Sequence, residues 1–373
     1  MNAGSPSRAI IDLSAYAHNL SIVRSLIPPQ CGIMAVVKTN AYGLGNVPIA
    51  RRAVAEGVRM LGVTTVDEGM ALRKAGIEAP IVVLVQPHEE ALPTVVEHNL
   101  RVMVSDVALA ERLGELARRT NRVVPVHCKI DTGMGRQGFA SDKAIDILRS
   151  LTRISPIDIE GIATHFADAD GADDAFTAHQ VWQFRQLLKQ AEKAGIPFEM
   201  AHAATSAAIV NYPESAFDMV RPGLMTYGVW PTRTQPNPMP LRPVLRWESR
   251  VVLVKEIKLG ASIGYGRTYT TDRAMRTAVV PVGYADGYRY AFGNRAHVLI
   301  GGKRCPVRGS VSMDQIVVDI SAAGPVETGD AVTLIGTDGS ESVTVRELAD
   351  IAQTVPHDIL AGLAPRVARE YVE

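Results

Sequence analysis

Short apolar runs, rich in β-branched residues, alternate with amphipathic stretches through the first two-thirds of the chain. The runs are GIMAVVK (32–38), RMLGVTT (59–65), APIVVLV (79–85), RVMVSD (101–106), VVPVHCKID (123–131), IDIEGIATHF (157–166), FEMAHAAT (198–205) and MVRPGLMTYG (219–228). Between them NVPIARRAVAEG, VDEGMALRKAG, VALAERLGELARR, KAIDILRSL and TAHQVWQFRQLLKQAEKAG place apolar residues at helical spacing. Strict alternation of strand and helix implies parallel strands with right-handed crossovers. Eight of them predict a closed TIM-type (β/α)8 barrel rather than an open sheet. Ahead of the first run lie a short arm, RAIIDL, and a helix over residues 14–27, with Ser14 as its N-cap.

The pattern changes after VWPTRTQPNPMPLRP (229–243), whose prolines and lack of periodicity read as an extended linker. VLRWESRVVLVKEI, RTAVVPVGYADG, AHVLIGGKRCPV, QIVVDI and DAVTLIG are short strands separated by glycine turns. A helix starts at Thr344 with Glu347 as capping-box partner, and a second spans about 358–369. The chain therefore divides into a barrel (1–240) and a mainly β domain (241–373).

With 373 residues, 47% hydrophobic and 21% charged, the sequence supports a large core and two domains. Its 39 basic and 39 acidic residues cancel without a polybasic run, which argues against a nucleic-acid or membrane surface and for small-molecule partners. Cys31, Cys128 and Cys305 are odd in number and isolated, so neither a disulfide framework nor a zinc or other metal site is expected. The first residues show no apolar core or cleavage pattern and nowhere do about 18 uncharged apolar residues run together, so a cytoplasmic location is expected.

Barrels of this type place their chemistry at the C-terminal ends of the strands. Lys38 ends the first run, where loss of water favours the neutral amine and a Schiff-base role. Lys129 ends the fifth with Arg136 beyond it, His165 ends the sixth, His202 lies near the end of the seventh, and Arg221 lies in the eighth. A phosphate site in such barrels forms after strands seven and eight, where Ser206 offers a hydroxyl and Gly223-Leu224 offers approachable backbone N–H groups. Singly, each of these residues has an ordinary structural reading, as a buried histidine, an ion-pair partner or a helix cap. Their gathering at one mouth favours a site.

AVVKTNAYGLG (35–45) resembles the cofactor-lysine motif of the alanine racemases. KIDTGMGRQGF, ATHFADAD, HAATSAA, VRPGLMTYG, IGYGRTY, VGYADGY and SVSMDQ resemble further blocks of that family in its order. The resemblance implies pyridoxal 5'-phosphate as cofactor, alanine as substrate, and a homodimer with shared sites. It implies that Lys38 holds the cofactor and acts as one proton-transfer base, with Tyr265 of the partner subunit as the other. Tyr42, Ser206, Gly223 and Leu224 would bind the phosphate, Arg221 would face the pyridine nitrogen beside His165 and His202, and Arg136 with the backbone near Met313 would address the substrate carboxylate. Lys129 would match a lysine that is N-carboxylated in many members. Two positions depart from the pattern: Leu44, expected at the rim in place of a histidine, and His357, in place of a tyrosine at the entrance. Competing readings are a broader alanine/serine racemase and an amino-acid decarboxylase on the same barrel, although Cys305 in GKRCPV lacks the acidic context such decarboxylases give their catalytic cysteine.

Overall fold

The computed structural model describes residues 6–171, 174–232 and 239–373. All eight apolar runs form strands of one parallel sheet. After a first strand outside it, β1 (Ser7–Asp12), the sheet's strands in chain order are β2 (Gly32–Val36), β3 (Met60–Val63), β4 (Ile81–Val83), β5 (Arg101–Val104), β6 (Val124–Asp131) with its two-residue appendage β7 (Phe139–Ala140), β8 (Ile157–Ala163), β9 (Met200–Thr205) and β10 (Met219–Arg221). Pairing runs β5-β4-β3-β2-β10-β9-β8-β6, and a β5–β6 ladder closes the ring. Within it Met34, Met60, Met103, Met200 and Met219 pack with Val82 and Ala163 as a separate apolar cluster. Unbranched thioethers suit the irregular space inside a tilted barrel.

The second domain is built from β11 (Leu245–Arg250), β12 (Leu253–Ile257), the small hairpin β13 (Ser262–Ile263) and β14 (Tyr269–Thr270), β15 (Met275–Val280), β16 (His297–Ile300), β17 (Lys303–Arg308), β18 (Ile316–Asp319), β19 (Ala331–Asp338), β20 (Glu341–Val343) and β21 (Ala368–Val372). Its main sheet has the order β12-β15-β18-β17-β16-β19-β11-β1-β21, with β20 paired to β19.

Three expectations change. The N-terminal arm, grouped above with the barrel, is a strand of this second sheet: β1 pairs antiparallel with β11 and parallel with β21. Its alternation explains the choice, since Ala9 and Ile11 are fully buried while Arg8 reaches Glu248 and Glu370 at 3.0 and 2.9 Å. The first helix, Leu13–Ser25, is capped by Asp12 rather than Ser14; the Asp12 carboxylate accepts from the Ala15 N–H and from the Ser14 hydroxyl. The second C-terminal helix is Pro356–Ala361, ending at Gly362, and residues 368–372 are strand β21 because they complete the sheet beside β1. Of the proline-rich stretch, residues 233–238 lie outside the described residues. The end of that stretch is tied to the first helix, where Asn19 donates to the Arg242 carbonyl and accepts from the Arg242 N–H.

The capping residue of the other C-terminal helix agrees with expectation, the Thr344 hydroxyl accepting from the Glu347 N–H at 3.0 Å. Because β1 fuses the chain's start to its end, truncating its buried side chain should destabilise the second domain. Ile11→Ala is expected to cost about 2–5 kcal/mol, measured by urea unfolding. A loss below about 1 kcal/mol would show that β1 is dispensable to the sheet.

Candidate active site

Lys38 follows β2 by two residues, and the chain then does something L-residues avoid. Thr39, Asn40, Ala41 and Tyr42 have φ of 55°, 52°, 52° and 54°, a run in the left-handed region that costs about 1–2 kcal/mol per residue. Specific bonds hold it. The Asn40 N–H donates to Glu68 Oε1 at 3.0 Å, Asn40 Oδ1 accepts from the Asn46 N–H at 2.9 Å, and the Gly45 N–H donates to the Asn40 carbonyl at 2.8 Å. Gly43 and Gly45 complete the turn at positive φ, and a Cβ at either would collide with the C-terminal segment, at the Leu360 carbonyl and the Tyr371 hydroxyl. Arg369 and Tyr371 in turn donate to the carbonyls of Gly43 and Leu44.

This turn delivers Lys38 into a cavity of about 820 Å³ at the C-terminal mouth of the barrel. Tyr42, Lys129, Arg136, His165, Ser206, Arg221, Gly223, Leu224 and His357 line the same cavity. Burial lowers the pKa of Lys38, as does the positive charge of Arg136, against an opposing pull from Glu68. Lys129 is buried and lies well below its ordinary range for the same first reason, with Arg221 and Arg136 adding to it. Both amines are therefore biased toward the neutral, nucleophilic form.

Arg221, the last residue of β10, is held on all sides. Its Nη2 donates to the carbonyls of Thr164 and Ala203 at 2.8 Å each and to His165 Nδ1 at 3.2 Å, and its Nη1 donates to His202 Nδ1 at 2.8 Å. Burial pushes its pKa down to about 10, so it stays a guanidinium near neutral pH. Beside it the Ser206 hydroxyl oxygen accepts from the N–H groups of Gly223 and Met225 at 2.9 and 3.2 Å. Gly223 also lies so close to Tyr42 that a Cβ would strike the phenol oxygen. A cradle of backbone and hydroxyl groups, a buried cation and two amines biased toward the neutral form thus face one space, a donor set suited to a phosphorylated aldehyde.

The family profile for the alanine racemase N-terminal domain matches residues 11–231, and that for the C-terminal domain matches residues 244–371. The chain belongs to the alanine racemase family. An alanine racemase of Halothermothrix orenii is 40% identical over 366 residues, covering 98% of this chain and 97% of that one. The alanine racemase of Clostridium difficile 630 superposes with a TM-score of 0.95 at 32% identity, covering 100% and 97% of the two chains. An alanine racemase from Bartonella henselae, solved with covalently bound pyridoxal phosphate, gives 0.89 at 28% identity, covering 99% and 100%.

Within the alanine racemase frame, three expected site residues stand apart from the cavity. His202 is fully buried behind Arg221 and does not line it. Tyr265 and Met313 belong to the β domain and are 75% and 52% exposed. Leu44, expected at the rim, is fully buried in the core, because the left-handed turn carries it inward under the C-terminal strand. Sequence reasoning overlooked Glu68, His127 and Glu160. Glu68 had a signal, since Thr65 and Glu68 form a capping box whose carboxylate also holds the Lys38 turn.

The charges around Lys38 predict its titration. In the ligand-free protein the midpoint of its pH-dependent reductive methylation, followed peptide by peptide by mass spectrometry, should lie below the ordinary lysine value. Glu68→Gln should lower it further and Arg136→Gln should raise it. A midpoint at the ordinary lysine value would show that burial does not disfavour the ammonium here.

Proposed function

We propose that the protein interconverts L- and D-alanine with pyridoxal 5'-phosphate as cofactor, using two bases on opposite faces of the α-carbon. The observation that carries this reading is the meeting of a neutral-biased Lys38, a buried Arg221 and the Ser206–Gly223 cradle in one cavity. Those residues fit the cofactor: Lys38 to hold its aldehyde carbon, Tyr42, Ser206, Gly223 and Leu224 its phosphate, and Arg221 its ring nitrogen. Once bound, the cofactor supplies an electron sink that makes the substrate's α-hydrogen acidic.

The protein's own part is proton management. Lys38 Nζ takes or gives the proton on one face. Inversion requires a second group opposite, and one lysine cannot serve both faces. We assign that role to Tyr265 Oη of the partner subunit. Its exposure supports the assignment, as does its neighbourhood: the Tyr265 carbonyl accepts from the Ser310 hydroxyl, Tyr290 Oη donates to Ser310 Oγ, and the Tyr284 N–H donates to the Ser312 carbonyl next to Met313. Tyr265, Tyr284, Tyr290 and Met313 are all exposed around this one loop, an aromatic face that a homodimer would cover. Arg136, at the rim, binds the substrate carboxylate with the backbone near Met313 of the partner subunit. N-carboxylation of Lys129 would replace a neutral amine by an anion between Arg136 and Arg221 and so fix the direction of Arg136. Arg221 holds its proton too strongly to give it up to a useful degree, so toward the ring nitrogen it would serve as a hydrogen-bond donor only. The three thiols are unpaired, which fits a reducing, cytoplasmic compartment, and among the described residues no helix is long and apolar enough to cross a membrane.

Incubation with L-alanine followed by chiral chromatography should give a racemic mixture, and release of carbon dioxide instead would establish the decarboxylase reading. Lys38→Ala and Tyr265→Phe should each nearly abolish conversion, the second while still binding pyridoxal phosphate. Mixed heterodimers of the two variants should regain part of the activity, because one hybrid site then holds both bases. No recovery in well-mixed heterodimers would place both bases in one chain.

His357 bears on specificity. Its ring packs edge-on against Tyr42 with centroids 5.4 Å apart, and burial, with Lys38 next, lowers its pKa, so it is a neutral imidazole at pH 8. A tyrosine there would fill more of the mouth. His357→Tyr is expected to lower the serine-to-alanine ratio of kcat/KM by a factor of about ten, the scale of one small group in a pocket. An unchanged ratio would show that His357 does not gate side-chain size.

A further inference from the structure

Behind Arg221 a file of polar groups crosses the apolar interior of the barrel from mouth to floor. His202 Nε2 lies 2.7 Å from His127 Nδ1, His127 Nε2 lies 2.9 Å from Glu160 Oε2, and Arg101 forks onto the Glu160 carboxylate at 3.0–3.2 Å. Both histidines are fully buried, and the methionine cluster fills much of the remaining interior. Nothing in the mechanism above uses His127, Glu160 or Arg101.

The sheet is deformed to build this file. Opposite β6 the register of β8 slips where Val126 faces Ile159 but His127 faces Gly161, which leaves Glu160 as the extra residue of a bulge. A second slip separates the Met219–His202 pair from the Arg221–Thr205 pair. Gly161 leaves room for the His127 ring, which a Cβ at that position would strike.

Hydrogen-bond direction then has one solution. A guanidinium only donates, so His202 Nδ1 must carry a lone pair and Nε2 the proton. That proton goes to His127 Nδ1, whose own proton is therefore on Nε2 and is accepted by Glu160. The reversed polarity would put an N–H of His202 against an N–H of Arg221. Burial disfavours the charged form of both rings, in keeping with two neutral imidazoles.

We propose that Glu160, anchored by Arg101 at the floor of the barrel, is a positioning residue for Arg221. By accepting from His127 it fixes both histidine tautomers, guarantees Arg221 an acceptor, and so holds the guanidinium plane toward the cofactor ring. This rests on the assignment of Arg221 to the pyridine nitrogen made above.

The test uses full-length protein carrying 15N-histidine. Long-range 1H–15N spectra should show His127 and His202 as Nε2–H tautomers. Glu160→Leu should redistribute them and weaken pyridoxal phosphate binding, read by fluorescence titration, by a factor of about ten, the scale on which residues that orient a ligand through another group act. Glu160→Gln, which keeps an acceptor oxygen, should retain the tautomers and most of the affinity. Unchanged tautomers in the folded Glu160→Leu protein would overturn the relay. Redistributed tautomers with unchanged affinity would overturn the assignment of Arg221 to the cofactor, leaving the relay itself standing.

Discussion

Four consecutive left-handed residues after Lys38 set the terms for the rest of the molecule. At about 1–2 kcal/mol each, their strain is a sizeable part of the 5–15 kcal/mol that holds a typical domain folded. Such a turn persists only where its surroundings over-determine it. Here they come from three places: the helix after β3, through Glu68; the turn itself, through Asn40; and the end of the chain, through Arg369 and Tyr371. The last of these explains why β1 and β21 lie side by side. The segment that clamps the lysine turn is itself clamped by the chain's first strand, so both domains of the chain aim Lys38.

The second constraint is charge. Lys38, Lys129, Arg136 and Arg221 share one mouth, where Glu68 acts on Lys38, Asp131 acts on Lys129, and Asp170 lines the same cavity. Repulsion among four cations in a half-buried space is relieved most cheaply where protons can leave, which is at the lysines, because arginine holds its proton far more strongly. The arrangement therefore produces reactive amines and fixed cations from the same crowding. A phosphate dianion or a carboxylate entering the mouth would offset part of that repulsion.

Much of this was legible in the sequence, for physical reasons that differ from place to place. The barrel strands were readable because strands buried on both faces are continuously apolar, and their chemical residues were readable because polar groups that end such runs lie at the mouth. The arm Ser7–Asp12 was not, since a six-residue alternating strand carries no record of which sheet it joins. Leu44 was misplaced because a left-handed turn inverts the direction that ordinary periodicity assigns to the next side chains. Glu160 and His127 were hidden for a related reason: a bulge shifts the face a residue presents, and neither histidine tautomers nor bulges have a sequence period.

What a single chain leaves undone is itself informative. The barrel cavity gathers Lys38, Arg221 and the Ser206–Gly223 cradle, while the exposed tyrosines and Met313 sit on the β domain around Ser310. In the reading proposed above, this division follows from the chemistry. A group on the far face of the α-carbon has to approach across the open side of the cavity, and the floor of the barrel is already filled by methionines and by the Arg221–Glu160 file. A strand end cannot reach around the cofactor, but a loop from a second copy can close over it. In that reading the rigid half of the site is built by the barrel's own strands and the opposing half by the exposed tyrosine face of a second copy, which would tie substrate enclosure and the second proton donor to the same contact.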